Sequence, residues 1–110
     1  MKPVKPIDLV AFDSEKRCKT EIYRTAGLLV GVDGFEPGQA HRAHVHGHQE
    51  KVWWVLEGKG TVELSGVKQP IAAGELVVIP AGVEHGIEAN LGERMVVAVI
   101  LAPGPSGSCG

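Results

Sequence analysis

Short apolar runs separated by glycine- and proline-containing pairs make up most of the chain. Two such pairs are Asp33-Gly34 and Pro37-Gly38, and pairs of this kind end regular elements. No segment has the periodicity of an amphipathic helix, whereas β-branched and aromatic residues fill several runs, as is typical of strands. The pattern predicts an all-β sandwich or barrel, with strands in residues 7–12, 20–24, 27–32, 52–56, 61–64, 76–79 and 94–101.

Length and composition favour a single domain. The chain has 110 residues, of which 44% are hydrophobic, enough for one packed core. Its net charge of -2 provides no basic surface, so we expect no nucleic-acid partner. No apolar run is long enough to cross a bilayer, so we expect no membrane partner either. The charged N-terminus lacks the apolar stretch of a signal peptide, which predicts a cytoplasmic protein with reduced Cys18 and Cys109.

Histidines supply the candidate chemistry. His44 and His46 are two residues apart, a spacing that puts both rings on one face of a strand. His85 follows a turn that contains Pro80 and Gly82. Neutral imidazole binds zinc, copper, iron and nickel. Three imidazoles on neighbouring strands therefore indicate a metal site.

Two motifs resemble those of the cupin family. The first has a glycine, two histidines and a second glycine at Gly38, His44, His46 and Gly58. The second consists of Gly74, Pro80, Gly82 and His85. The resemblance implies a single-domain cupin-type β-barrel, also called a double-stranded β-helix or jelly roll. It would span residues 1–102, including N-terminal strands, and the Pro/Gly/Ser-rich residues 103–110 would form a flexible tail.

The resemblance also implies a ligand set for one divalent transition metal, which would be iron, manganese, nickel, copper or zinc. The implied ligands are His44, His46, His85 and a glutamate. Counted back from Gly58, the glutamate position is occupied by Lys51, and this chain has its glutamate one residue earlier, at Glu50. A slip of one residue along a strand turns a side chain to the opposite face.

Three residues therefore compete for the fourth ligand position. If the preceding loop absorbs the extra residue, Glu50 faces the metal and Lys51 is solvated, which is the arrangement that we expect. If the register counted from Gly58 holds, the Lys51 ammonium faces the metal and weakens its binding. Gln49 is a further candidate, through its amide oxygen.

Strand alternation extends these expectations. If His44 and His46 face inward, Arg42 does so too and His41 points away, which makes His41 and His48 rim or surface residues. On the next strand, the family register turns Lys51, Trp53 and Val55 inward and leaves Val52, Trp54 and Leu56 outward. An exposed apolar face of this kind marks an interface, and we expect a homodimer. The alternative is that the N-terminal strands cover this face within one chain.

Three functions fit these features. The first is a metal-dependent enzyme that acts on a small polar molecule by dioxygenase, isomerase or lyase chemistry, as the resemblance implies. The second is a non-catalytic barrel that binds or senses a small molecule. The third is a metal-free barrel that binds a partner protein through its apolar face. Fold alone does not choose between them.

Overall fold

Antiparallel strands dominate the computed structural model, which describes residues 1–45 and 47–104. His46 and residues 105–110 lie outside the described residues. A 3₁₀ helix at Pro6–Asp8 precedes the strands, which are β1 (Cys18–Arg24), β2 (Leu29–Phe35), β3 (Ala40–His44), β4 (Glu50–Glu57), β5 (Lys59–Leu64), β6 (Val67–Ala72), β7 (Leu76–Ile79), β8 (His85–Ala89) and β9 (Met95–Ala102). The predicted all-β class is confirmed. The described part of the chain contains no helix long and apolar enough to span a membrane.

Two antiparallel sheets enclose the core. The five-stranded sheet has the order β1-β2-β9-β4-β7, and the four-stranded sheet has the order β3-β8-β5-β6. Their facing side chains form one apolar cluster, because alternate residues of each strand point between the sheets. The buried members of this cluster are Phe35, Trp53, Val55, Val62, Ile71, Ile79, Ile87, Ala89, Met95, Val97 and Val99.

Two of the predicted strands need correction. Residues 7–12 are not a strand, and the chain instead forms the Pro6–Asp8 turn of 3₁₀ helix, where proline suits the first helical position. The Asp33-Gly34 pair does not end β2, which continues to Phe35. Gly34 fits there because a Cβ at this position would collide with the Ala11 carbonyl. Strands β6 and β8 were not predicted.

Gly58 makes the tight connection between β4 and β5. Its φ is 79°, in the left-handed region that L-residues with a side chain rarely adopt. A Cβ at Gly58 would also collide with the carbonyl oxygen of Arg94. This glycine therefore fixes the end of β4, and with it the register of the residues that point into the barrel.

Candidate functional site

His44 and His85 face each other across the β3–β8 ladder. They are direct partners in the antiparallel register, and their ring centroids are 4.2 Å apart. The Nδ1 of His44 lies 2.9 Å from the Arg42 carbonyl oxygen, and the Nδ1 of His85 lies 2.8 Å from that of Val83. A carbonyl only accepts, so each Nδ1 carries the proton. Each Nε2 then carries the lone pair that a metal ion would take.

A β-bulge in β3 brings a third ring to this pair. The register advances from His41 to His44 while β8 advances only from Ile87 to His85, so β3 holds one extra residue. The bulge breaks the alternation and turns His41 inward, where its ring stacks on His44 at 4.2 Å. The same shift leaves Arg42 exposed. The expected orientations of His41 and Arg42 are both wrong, because a bulge reverses the faces that follow it.

Lys51, and not Glu50, faces the barrel interior. Lys51 is 4% exposed, and its Nζ lies 4.8 Å from the centroid of the Trp53 ring. Glu50 is exposed on the opposite face of β4. The expectation that Glu50 turns inward is therefore wrong. The register counted from Gly58 holds at Lys51 because exposure alternates without interruption from Glu50 to Val55, and the irregularity of β4 lies between Val55 and Glu57.

Gln49 and His48 also have definite places. Gln49 is buried, and its Nε2 donates to the Pro103 carbonyl oxygen at 3.1 Å. This bond ties the start of β4 to the chain beyond β9 and uses the Gln49 amide structurally. The neighbouring Gly104 donates its N–H to the Ala26 carbonyl. The first two residues of the predicted tail, Pro103 and Gly104, therefore both form hydrogen bonds. His48 is exposed, as expected of a surface residue.

Burial and positive charge keep His41 and His44 neutral. Desolvation lowers the pKa of His41 to about 2, with the Lys51 ammonium adding to the effect. Desolvation also lowers the pKa of His44. Burial also lowers the pKa of Lys51, to about 8. The Asp33 carboxylate partly offsets that shift. The rings can therefore act as neutral donors to a metal near neutral pH.

An ion pair lies deeper in the barrel, next to Lys51 and His41. The Arg17 guanidinium donates to the Asp33 carboxylate at 3.1 Å, and Asp33 is 6% exposed. Burial raises the pKa of Asp33, while Arg17 and Lys51 oppose that change. Neither Arg17 nor Asp33 was predicted as a site residue. Asp33 precedes a glycine, a pair that favours a turn, although an acidic residue in an apolar run can also signal a buried charge.

The structure thus brings together two of the four predicted ligands, His44 and His85, and adds His41 to them. It does not bring Glu50 to them. His46 lies outside the described residues. Among the residues that are described, no three histidine, cysteine, aspartate or glutamate side chains are arranged to hold a metal ion.

The outer surface of β4 and its neighbour β7 is an exposed apolar face. Trp54 is 44% exposed, and its neighbours on β7, Leu76 and Val78, are 45% and 57% exposed. Trp54 pairs with Leu76, and Val52 pairs with Val78. The predicted outward direction of Trp54 is confirmed, and β7, the last strand of its sheet, extends the face.

Known proteins share this architecture and parts of this sequence. The chain is 39% identical over 63 residues to a protein of Ruegeria pomeroyi named dimethylsulfoniopropionate lyase DddW, covering 57% of this chain and 41% of that protein. It is 34% identical over 86 residues to a protein of Streptomyces cyaneus named polyketide synthase CurC, covering 74% and 54% respectively. The chain thus spans about half the length of these curated relatives.

Among solved structures, TT1209 of Thermus thermophilus superposes with a TM-score of 0.90 at 28% identity, covering 96% of this chain and all of that one. The model of the Cupin domain family matches residues 31–102. These matches confirm the predicted jelly-roll fold. The matched segment contains both histidine motifs and well over half of the residues, and the chain belongs to the cupin family.

Proposed function

We propose that this cupin binds one divalent transition metal ion through His44, His46 and His85 and acts as an enzyme on a small polar molecule. The observation that carries the proposal is the facing pair His44 and His85, whose Nδ1 atoms are both bonded to backbone carbonyls. This arrangement leaves the Nε2 lone pair of each ring for a metal ion and holds the two neighbouring rings in place. The spacing of His46 from His44 supplies the third ligand of the proposal.

The bound metal would supply Lewis-acid or redox chemistry at a position left open to substrate. The chain's own residues shape that position. Trp53 closes one side, with its ring centroid 5.2 Å from that of His85. Lys51 contributes positive charge beside the histidines, which favours a substrate with a negative group.

Lyase chemistry is the reaction class with most support among dioxygenase, isomerase and lyase. One relative is named a lyase, and its 63 matched residues are 39% identical to this chain. An alternative function is a non-catalytic barrel that binds or senses a small molecule. The position of Lys51 favours this alternative, since an ammonium at the place of the family's glutamate removes one ligand and repels a cation.

We further propose that a second copy of the chain covers the apolar face of Trp54, Leu76 and Val78. The face lies on β4 and the edge strand β7, so two copies can pack the same residues about a two-fold axis. A cytoplasmic location and the absence of nucleic-acid and membrane partners stay predictions from composition.

Elemental analysis of protein purified without added metal or chelator tests the metal site. We expect about one transition metal ion per chain in the wild type, and none in the double variant His44→Ala/His85→Ala. The matched control is His48→Ala, since His48 is exposed, and it should keep the wild-type metal content. Stoichiometric metal in the double variant would contradict the assignment of these ligands.

Turnover separates the enzyme from the binder. Metal-loaded protein is incubated with dimethylsulfoniopropionate and a panel of small organic acids, and products are followed by proton NMR. Cleavage that is absent from the His44→Ala/His85→Ala variant supports an enzyme. Ligand-induced stabilisation of the fold without any product supports the binding alternative.

A further inference from the structure

A cavity of about 200 Å³ lies inside the barrel behind His41. It extends between β1, β2 and β9, and its polar wall is formed by Arg17, Asp33, His41 and Lys51. Its volume would hold about six or seven water molecules at the density of the liquid. The cavity is therefore large enough for a small organic molecule.

Lys51 brings an unpaired charge to this cavity. The side chain is 4% exposed. Among the described residues its ammonium forms no hydrogen bond or ion pair, and it lies over the Trp53 ring. The Asp33 carboxylate, which is paired with Arg17, acts on this ammonium from beyond ion-pair distance and offsets its charge only in part. The Nδ1 of His41, on the same wall, also lacks a hydrogen-bond partner in the described part of the chain.

The fixed charges around the cavity leave one buried positive charge. Asp33 is paired with Arg17 at 3.1 Å, and Glu21 at the rim is paired with Arg24. Lys19, also at the rim, is exposed and is screened by solvent. What remains inside is the Lys51 ammonium, and a ligand with one negative charge would neutralise it.

We propose that this cavity binds a small organic carboxylate with a single negative charge, held by the ammonium of Lys51. That the carboxylate is a substrate rests on the proposed function. That the cavity binds a carboxylate rests on the cavity and its residues alone. A carboxylate would accept a charge-assisted hydrogen bond from Nζ. Its hydrocarbon part would lie against the apolar wall formed by Leu29, Val99 and Leu101.

The cavity's chemistry favours a carboxylate over phosphate. A phosphate that carries two negative charges would face one unpaired ammonium and, on the same wall, the Asp33 carboxylate. The second negative charge of the phosphate would be buried without a partner, which is unfavourable in free energy. The apolar residues of the opposite wall give phosphate no hydrogen bonds, whereas they suit an alkyl chain.

Titration calorimetry with chelator-treated, metal-free protein tests the site. The probes are butyrate, the neutral butyramide of similar shape, and inorganic phosphate. We expect butyrate to bind with a dissociation constant of about 10 mM or tighter, and butyramide and phosphate to bind at least about tenfold more weakly. Lys51→Met should weaken butyrate binding at least about tenfold. Lys59→Met, which removes an exposed lysine of β5, should leave it unchanged.

NMR of the wild-type protein provides a measurement that needs no variant. Butyrate should shift the amide signals of Gly31 and Asp33 at the cavity and leave that of Gly66, in the β5–β6 turn, in place. Absence of butyrate binding would overturn the proposal, as would equal binding of butyramide, tighter binding of phosphate, or shifts away from the cavity. Because metal is absent, these outcomes are independent of whether His44 and His85 bind metal.

Discussion

The ammonium of Lys51 lies 4.8 Å from the centroid of the Trp53 ring, on the inward face of β4. A cation over an indole ring gains up to about 2 kcal/mol when both are desolvated. This contact recovers part of the desolvation free energy of the buried ammonium without neutralising it. Lys51 therefore keeps a positive charge beside the histidines, and both the metal affinity and the ligand preference of the barrel depend on that charge.

Lys51→Glu is expected to raise the affinity for a divalent metal at least about tenfold, which is about 1.4 kcal/mol. The substitution removes a repelling charge and puts a carboxylate, a good metal ligand, on the inward face of β4, in the sheet opposite His44 and His85. Calorimetric titration of metal-free protein with zinc measures the change. The matched control is Glu50→Gln, which alters the adjacent, outward-facing residue and should have no effect. Equal affinities for Lys51→Glu and the wild type would contradict the inward placement of Lys51.

Both sequence motifs proved informative about the site because their spacing depends on glycines that set the turns. Counting back from Gly58 placed Lys51 inward, as the structure shows, since the positive φ of that glycine fixes where β4 ends. The second motif likewise delivered His85 to the position opposite His44. Local backbone requirements of this kind are visible in a sequence.

The features that the sequence did not reveal depend on contacts between distant strands. The bulge that turns His41 inward is defined only by counting β3 against β8, and nothing in residues 40–44 signals it. Asp33 stays within β2 because Arg17, 16 residues earlier, pairs with it. The placement of the polar residues inside the barrel therefore could not be predicted from the sequence, whereas the all-β class could.

The apolar face of β4 and β7 should hold a dimer together. Trp54→Glu places a charge in that face, and we expect it to convert a dimer into a monomer without loss of fold. Size-exclusion chromatography with light scattering gives the mass, and circular dichroism checks the fold. Val67→Glu is the control, because Val67 is 60% exposed on β6 of the other sheet. A dimeric Trp54→Glu protein, or a monomeric wild type, would refute this assembly.

Gly58→Ala should destabilise the fold by about 3 kcal/mol or more, because the new Cβ meets both a left-handed φ and the Arg94 carbonyl. Gly66→Ala separates the two causes. Gly66 has a φ of 80°, but nothing lies within 4 Å of a Cβ there, so its cost should be the backbone strain of about 1 kcal/mol. Urea unfolding measures both values. Equal losses of unfolding free energy in the two variants would show that the Arg94 carbonyl moves away from the new Cβ at little cost.

Asp33→Asn should change how stability depends on pH. Burial raises the pKa of Asp33 above its usual 3.8, so the folded state binds a proton more tightly than the unfolded state does. The wild type therefore loses stability as pH rises from about 4 through the folded-state pKa, whereas asparagine does not titrate. The stability of Asp33→Asn relative to the wild type should accordingly increase with pH over that range and then level off.

Urea unfolding of both proteins at a series of pH values checks this expectation, and Asp13→Asn is the control, because Asp13 lies in the exposed segment before β1. A stability of Asp33→Asn relative to the wild type that falls as pH rises would have the opposite sign. It would mean that the attraction of Arg17 and Lys51 for the Asp33 carboxylate outweighs desolvation. Asp33 would then be a stabilising anion that already offsets part of the Lys51 charge, and the demand of the cavity for an external carboxylate would be correspondingly weaker.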